Sequence, residues 1–251
     1  MWSRMAVDAS QVIIPEWPAP ERVRAISTTR AGGVSVGPYA SLNLALHVDD
    51  QAQAVTENRR RLQGMCGLAR SPSWLSQVHG TVVVEAQDFA EAPAADAAYS
   101  LTPGAACVVM TADCLPVLFA DDAGTCVAAA HAGWRGLLDG VLEATIARLP
   151  VARERLLAWM GPAIGPSAFE VGAEVRDAFL ARDAAATHAF MAGSNGRWLC
   201  DLYALARMRL ASQGVNRVYG GGLCAYTDPE RFYSFRRDGV TGRMASMIWL
   251  A

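Results

Sequence analysis

Apolar residues fall in short runs along this chain, and the spacing within each run sorts them into strands and helices. Residues 22–28 alternate in part and are rich in β-branched side chains, which predicts a strand. Residues 73–78 and 80–86 predict two strands joined at His79-Gly80. Residues 105–111, 114–120 and 125–131 are apolar runs separated by turn-forming Asp and Gly, which predicts three buried strands. A strand over 156–160 ends at Gly161-Pro162, and two more are expected at 216–220 and 244–250. Leu138, Val141, Leu142, Thr145, Ile146 and Leu149 recur at helical spacing and predict one helix over 137–149. Asp49 and Asp50 stand where a helix running to about Met65 needs a cap. Helices are also expected near 172–182 and 198–213, while 183–196 carries the weakest pattern. Strands and helices do not alternate regularly. The pattern therefore predicts a single α+β domain, with mixed β-sheets flanked by helices, over 22–251 after an N-terminal extension at 1–21. A doubly wound fold is the second choice.

Composition narrows the chemistry. Of 251 residues, 52% are hydrophobic, enough for a packed core. All 22 basic residues are arginine, and this excludes Schiff-base, pyridoxal-phosphate and P-loop lysine chemistry. Any anion must be gripped by arginine, backbone amides, hydroxyls or a metal. A net charge of −2 points away from nucleic acid and from membrane surfaces. Residues 1–20 lack the apolar core of a signal peptide, and no run approaches the ~20 apolar residues of a spanning helix. The six cysteines (Cys66, Cys107, Cys114, Cys126, Cys200 and Cys224) form no CxxC pair, so a reducing, cytoplasmic setting is expected. Nothing in the pattern sets the oligomeric state.

Three ligand-type residues end predicted strands: His79 in SQVHG, Cys114 in TADCLP and His131 in AAAHAGWRG. One thiolate and two imidazoles suit zinc, and three protein ligands leave the fourth position to water or substrate, as in catalytic sites. Copper also binds such a set. Separations of 35 and 17 residues match no compact zinc finger. The same residues admit a second reading. Cys114 is then a nucleophile, His131 or His79 its base, and Asp113 or Asp96 the group orienting that base, for acyl transfer or deamidation. The plainest reading is two separate core histidines and a buried thiol.

TTRAGGVS, SLNLALHVDD, NRR, LSQVHG, TADCLPVLFAD, AAAHAGWRGL, MGPAIGP, FEVG and FYSFRRDGVTGRMASMIWL occur in this order. Together they resemble the YfiH-like family, whose members carry laccase-domain or multicopper polyphenol oxidase names. The resemblance spans about 22–250. It implies a purine nucleoside phosphorylase and adenosine deaminase; members are also described as peptidoglycan editing factors. It implies a zinc ion on His79, Cys114 and His131. The copper in the family's name fits poorly, because the chain's four histidines (His47, His79, His131 and His188) cannot build several copper sites. A cysteine or metal hydrolase editing peptidoglycan precursors, or a copper-dependent polyphenol oxidase, is the alternative.

Phosphorolysis needs pockets for orthophosphate, ribose and purine, and without lysine the phosphate falls to arginine. Arg236, Arg237 and Arg243 cluster near the C-terminus, and Arg30 lies in a Gly- and Ser-rich loop whose amides could nest an anion. Arg135, four residues after His131, is a candidate stabiliser of developing negative charge. Ser41 and Asn43 are candidates for ribose or phosphate. Asp113 is a candidate proton shuttle, and Phe232, Tyr233 and Phe235 offer a purine-stacking face. His47 is a candidate support for the site, His188 a solvated side chain, and Cys126 and Cys224 structural thiols. The expected partners are purine nucleosides (adenosine, inosine and methylthioadenosine) and phosphate.

Overall fold

The computed structural model describes residues 10–251. In chain order the elements are β1 (Val12–Ile13), β2 (Val23–Thr28), α1 (Ala52–Met65), β3 (Val83–Glu85), β4 (Ala97–Ser100), β5 (Cys107–Thr111), β6 (Leu115–Asp121) and β7 (Val127–Ala132). There follow α2 (Trp134–Asp139), α3 (Val141–Ala147), β8 (Leu156–Met160), β9 (Glu170–Val171), α4 (Ala173–Arg182), β10 (Phe190–Ala192), β11 (Trp198–Cys200), α5 (Leu202–Ser212), β12 (Arg217–Gly220), α6 (Phe235–Asp238) and β13 (Met244–Leu250).

The architecture is mixed α and β, built on three sheets. An antiparallel sheet has the order β1-β2-β13-β5, and a six-stranded mixed sheet has the order β12-β8-β6-β7-β4-β3. A small antiparallel sheet, β10-β11-β9, stands apart. Side chains of alternate parity send the two large sheets into different layers. Leu118 and Ala120 of β6 pack with Val109 of β5 and Ile248 of β13, sheet against sheet. Leu115, Val117 and Phe119 of β6 face Leu137, Leu142, Ile146 and Leu205 of the helices. Across the first sheet, Met247 and Trp249 pack on Leu62 of α1. With both faces covered, the central strands read as unbroken apolar runs.

Several expectations need correction. The helix expected over 137–149 is two helices, broken at Gly140, whose φ of +104° suits a residue without a Cβ. The helix expected over 198–213 is strand β11 followed by α5; between them the Asp201 carboxylate caps α5 by accepting from Ala204 N–H. The strands expected at 73–78 and 80–86 reduce to β3 and isolated bridges at Ser73 and Ser76. Asp50 does not cap α1. Its carboxylate instead accepts from Ser35 and Asn43 and cross-links the preceding loop. The weakly patterned 183–196 holds a short 3-10 helix (Ala184–Ala189) and β10. Within the expected extension, β1 joins the first sheet and Trp17 packs against the core, while residues 1–9 lie outside the described residues.

Candidate metal centre and its cavity

Strand register builds the site. Leu115 pairs with Ala132 and Pro116 with His131 across β6 and β7, and Ala97 pairs with Ala130 across β4 and β7. Cys114, His131 and Asp96 therefore sit on three adjoining strand ends. His79 arrives on the turn before β3, in a left-handed conformation (φ +62°). The ligand atoms of His79, Cys114 and His131 lie within 4.8 Å of one another, and among the described residues they are the group able to hold a metal ion. The Cys114 Sγ is 3.8 Å from His79 Nε2.

Asp96, fully buried, organises both histidines. Its Oδ1 lies 2.8 Å from His131 Nδ1, leaving His131 Nε2 for a metal. The same carboxylate accepts backbone N–H bonds from His79 (2.9 Å), Gly80 (2.7 Å) and Val78 (3.2 Å). Burial pushes the Cys114 thiol up, but the neighbouring imidazoles of His131 and His79 outweigh it and bring the thiol down to about 6. Burial likewise opposes charge on His131, yet Cys114 and Asp96 raise it to about 9. In chemical terms the trio shares one proton between sulfur and nitrogen, and a divalent cation can take that proton's place. The donor set, one soft thiolate and two imidazoles with a carboxylate behind one of them, fits zinc.

Gly133 closes the site from below. A Cβ built there would lie 2.9 Å from His79 Cδ2 and 3.0 Å from Cys114 Sγ. In the sequence Gly133 marks the end of the strand that carries His131; its close approach to His79 and Cys114 comes only from the fold.

The trio opens into a cavity of about 290 Å³, lined also by His47, Gln77, Met110, Phe235 and Arg243, near the lower bound of about 300 Å³ for ligand pockets. Of the candidate arginines, Arg243 lines it and Arg30, Arg135, Arg236 and Arg237 do not. Arg243 Nη1 donates to the carbonyls of Thr241 and Gly242, and its backbone N–H donates to Asn43 Oδ1. Phe235 is 56% exposed and faces the cavity, whereas Phe232 and Tyr233 are wholly buried and offer no stacking face. His47 lines the cavity, and Gln77 is pinned there by paired hydrogen bonds to the Met110 backbone.

The remaining expected residues are placed elsewhere. Arg30 donates to the carbonyls of Ala40 and Pro229 and lies over the Tyr233 ring, so it ties loops together. Ser41 Oγ donates to Arg30 O and accepts from Gly33 N–H; Asn43 is fully buried and bonds Ala45, Asp50 and Arg243. Arg236 donates to Glu170 O, and Arg237 is engaged by Asp238 and three carbonyls. Arg135 is exposed and lies over Trp134. Asp113 does not line the cavity. Its carboxylate accepts from Ser234 Oγ and from Arg236 N–H, both at 2.7 Å, and holds α6 and hence Phe235 in place. Burial raises its pKa, but with both oxygens engaged it is poorly placed to carry protons.

This fold and this site define the class. Residues 24–251 match the family described as multi-copper polyphenol oxidoreductase laccase, and the chain belongs to that family. Its relatives narrow the description. It is 59% identical over 239 residues to a purine nucleoside phosphorylase of Pseudomonas aeruginosa, covering 95% of this chain and 98% of that protein. It is 56% identical over 243 residues to the purine nucleoside phosphorylase YfiH of Escherichia coli K12, covering 96% and 99%. Among solved structures, a Neisseria meningitidis protein superposes with a TM-score of 0.93 at 52% identity, covering 96% of this chain and 99% of that one. YfiH of Bacillus licheniformis superposes with a TM-score of 0.89 at 30% identity, covering 97% and 98%. Among the described residues no helix is long and apolar enough to cross a membrane.

Proposed function

We propose that this chain is a zinc-dependent purine nucleoside phosphorylase acting on adenosine, inosine and methylthioadenosine, and that it also deaminates adenosine. The reading rests on one juxtaposition: the His79-Cys114-His131 trio opens into the same cavity as Arg243, His47 and the exposed Phe235 ring. The shared name of relatives that match nearly the whole chain supports it. Zinc held by His79, Cys114 and His131 would supply Lewis-acid polarisation of a substrate oxygen. Asp96 keeps His131 Nε2 and the His79 turn oriented for that ion. In phosphorolysis a phosphate oxygen forms a bond to ribose C1′ as the C1′–N9 bond breaks. The bond's electron pair goes to the purine, which takes up a proton. Phe235 offers its ring face to the base. In deamination, water adds at C6 and ammonia leaves. Zinc is preferred to copper because the chain has four histidines and one ligand group among its described residues. The unpaired thiols support a reducing, cytoplasmic setting.

Incubation of metal-replete protein with inosine and phosphate is expected to release hypoxanthine and ribose 1-phosphate, and Cys114→Ala is expected to carry little zinc and to be inactive. No base release from any of several purine nucleosides overturns the reading.

The depressed thiol beside His131 favours one rival, a cysteine hydrolase acting on cell-wall precursors. Thiol alkylation separates the two in a Cys224→Ser background. Zinc protects Cys114 until a chelator removes it, whereas a nucleophilic Cys114 is labelled at once in the protein as purified.

A further inference from the structure

The cavity wall opposite in chemistry to the metal ligands is cationic. Several arginines meet a carboxylate: Arg60 and Arg61 meet Glu57, Arg155 meets Asp122, Arg231 meets Asp228 and Arg237 meets Asp238. Arg243 and Arg59 do not. Both are half-buried, and neither forms an ion pair among the described residues. Arg243 spends Nη1 on two carbonyls, while its Nε and Nη2 make no hydrogen bond among the described residues. Arg59 Cζ lies over Trp74, 3.8 Å from the ring centroid, with one nitrogen 4.0 Å from the sulfur of the cavity residue Met110. Burial disfavours the charge on Arg243, Cys114 and Asp113 offset this only in part, and an entering anion lowers the cost further.

One short segment frames these cations. Asn43 accepts from Arg243 N–H, Leu44 N–H donates to Arg243 O, and Leu44 O accepts from Arg59 Nε. Three residues further on, His47 lines the cavity beside Arg243. Burial and the nearby charges of Arg243 and Arg59 hold its imidazole below the usual range, and its ring N–H can donate to an anion. SLNLAL thus braces this wall through Asn43 and Leu44.

We propose that Arg243 and His47, backed by the charge of Arg59, form the orthophosphate subsite of this cavity. The proposal rests on the phosphorolysis reading and deepens it. It moves phosphate away from Arg30, Arg135 and Arg236, whose side chains are engaged elsewhere. The free edge of Arg243 presents Nε and Nη2 as a two-pronged donor, matching two phosphate oxygens.

The test titrates inorganic phosphate against zinc-loaded and zinc-stripped protein, by calorimetry and by ³¹P line broadening, with no nucleoside present. Steady-state KM values for phosphate and for inosine follow on the same variants. Wild type is expected to bind phosphate with and without zinc. Arg243→Met and His47→Ala are expected to weaken that binding by at least about tenfold, the loss of one charge-assisted hydrogen bond. Arg243→Lys should fall between, because it keeps the charge and loses the fork. In kinetics the phosphate KM should rise more than the inosine KM. Phosphate binding that vanishes on zinc removal and ignores Arg243→Met overturns the subsite, as does a raised inosine KM with an unchanged phosphate KM. Phosphate binding that depends on Arg243 in a protein that cleaves no nucleoside upholds the subsite and overturns phosphorolysis instead.

Discussion

His131 Nδ1 and Asp96 Oδ1 lie 2.8 Å apart with both side chains buried, and the same carboxylate receives the main-chain N–H groups of Val78, His79 and Gly80. One acidic group therefore orients one candidate ligand through its ring and another through its backbone. It also places a negative charge beside the buried imidazole of His131.

Asp96→Asn leaves one acceptor oxygen where four donors converge and turns the other into a competing donor. Zinc affinity is expected to fall by about 10- to 100-fold. Chelator competition measures it, alongside a thermal melt. Unchanged affinity with a lowered Tm would make Asp96 a fold residue only.

Gly133→Ala tests the close approach beneath the ligands. Gly133 has an ordinary backbone (φ −63°), so the added methyl carries no conformational strain of its own. Its Cβ falls 2.9 Å from His79 and 3.0 Å from the Cys114 sulfur. Zinc content and activity are expected to drop by about tenfold or more, while urea unfolding moves little. Retention of full zinc content would show that the ligands can step aside.

Asp113→Asn separates positioning from proton transfer. With Asp113 holding α6 through Ser234 and Arg236, the variant should raise the nucleoside KM and leave the shape of the pH–rate profile intact. Loss of one limb of that profile would return Asp113 to the role of proton shuttle.

Asp121, buried at the β6–β7 turn, links stability to pH. Burial pushes its carboxyl up, but the Cys126, Thr125 and Ala123 donors outweigh it and hold the pKa below the usual range. A depressed folded value means stability that is present above the unfolded pKa of about 3.9 and is lost as pH falls through the folded one. Asp121→Asn is expected to lower unfolding free energy at pH 7 by about 1–3 kcal/mol. It should also flatten the loss of stability below about pH 4. Denaturant titrations at pH 3, 4 and 7 read both.

The apolar runs at 114–120, 125–131, 156–160 and 244–250 marked β6, β7, β8 and β13 closely, because strands covered on both faces leave no polar interruptions. β4 escaped notice. Its Ala97 and Ala98 have weak strand preference, and Tyr99 alone is too little to mark a strand. The break at Gly140 and the strand before α5 escaped for a related reason: helical spacing continues through both, and packing decides where the helix stops.

The candidate site divides in the same way. Residue type and motif by themselves singled out His79, Cys114 and His131 as candidate ligands, and the structure brings their ligand atoms within 4.8 Å of one another. Residue type also determined that anions must be met without lysine. Which arginine meets them was beyond the sequence. A guanidinium is free or occupied according to the carbonyls and carboxylates that the fold brings around it. Only the tertiary structure engaged Arg30, Arg236 and Arg237 with backbone carbonyls away from the cavity while placing Arg243 on its wall.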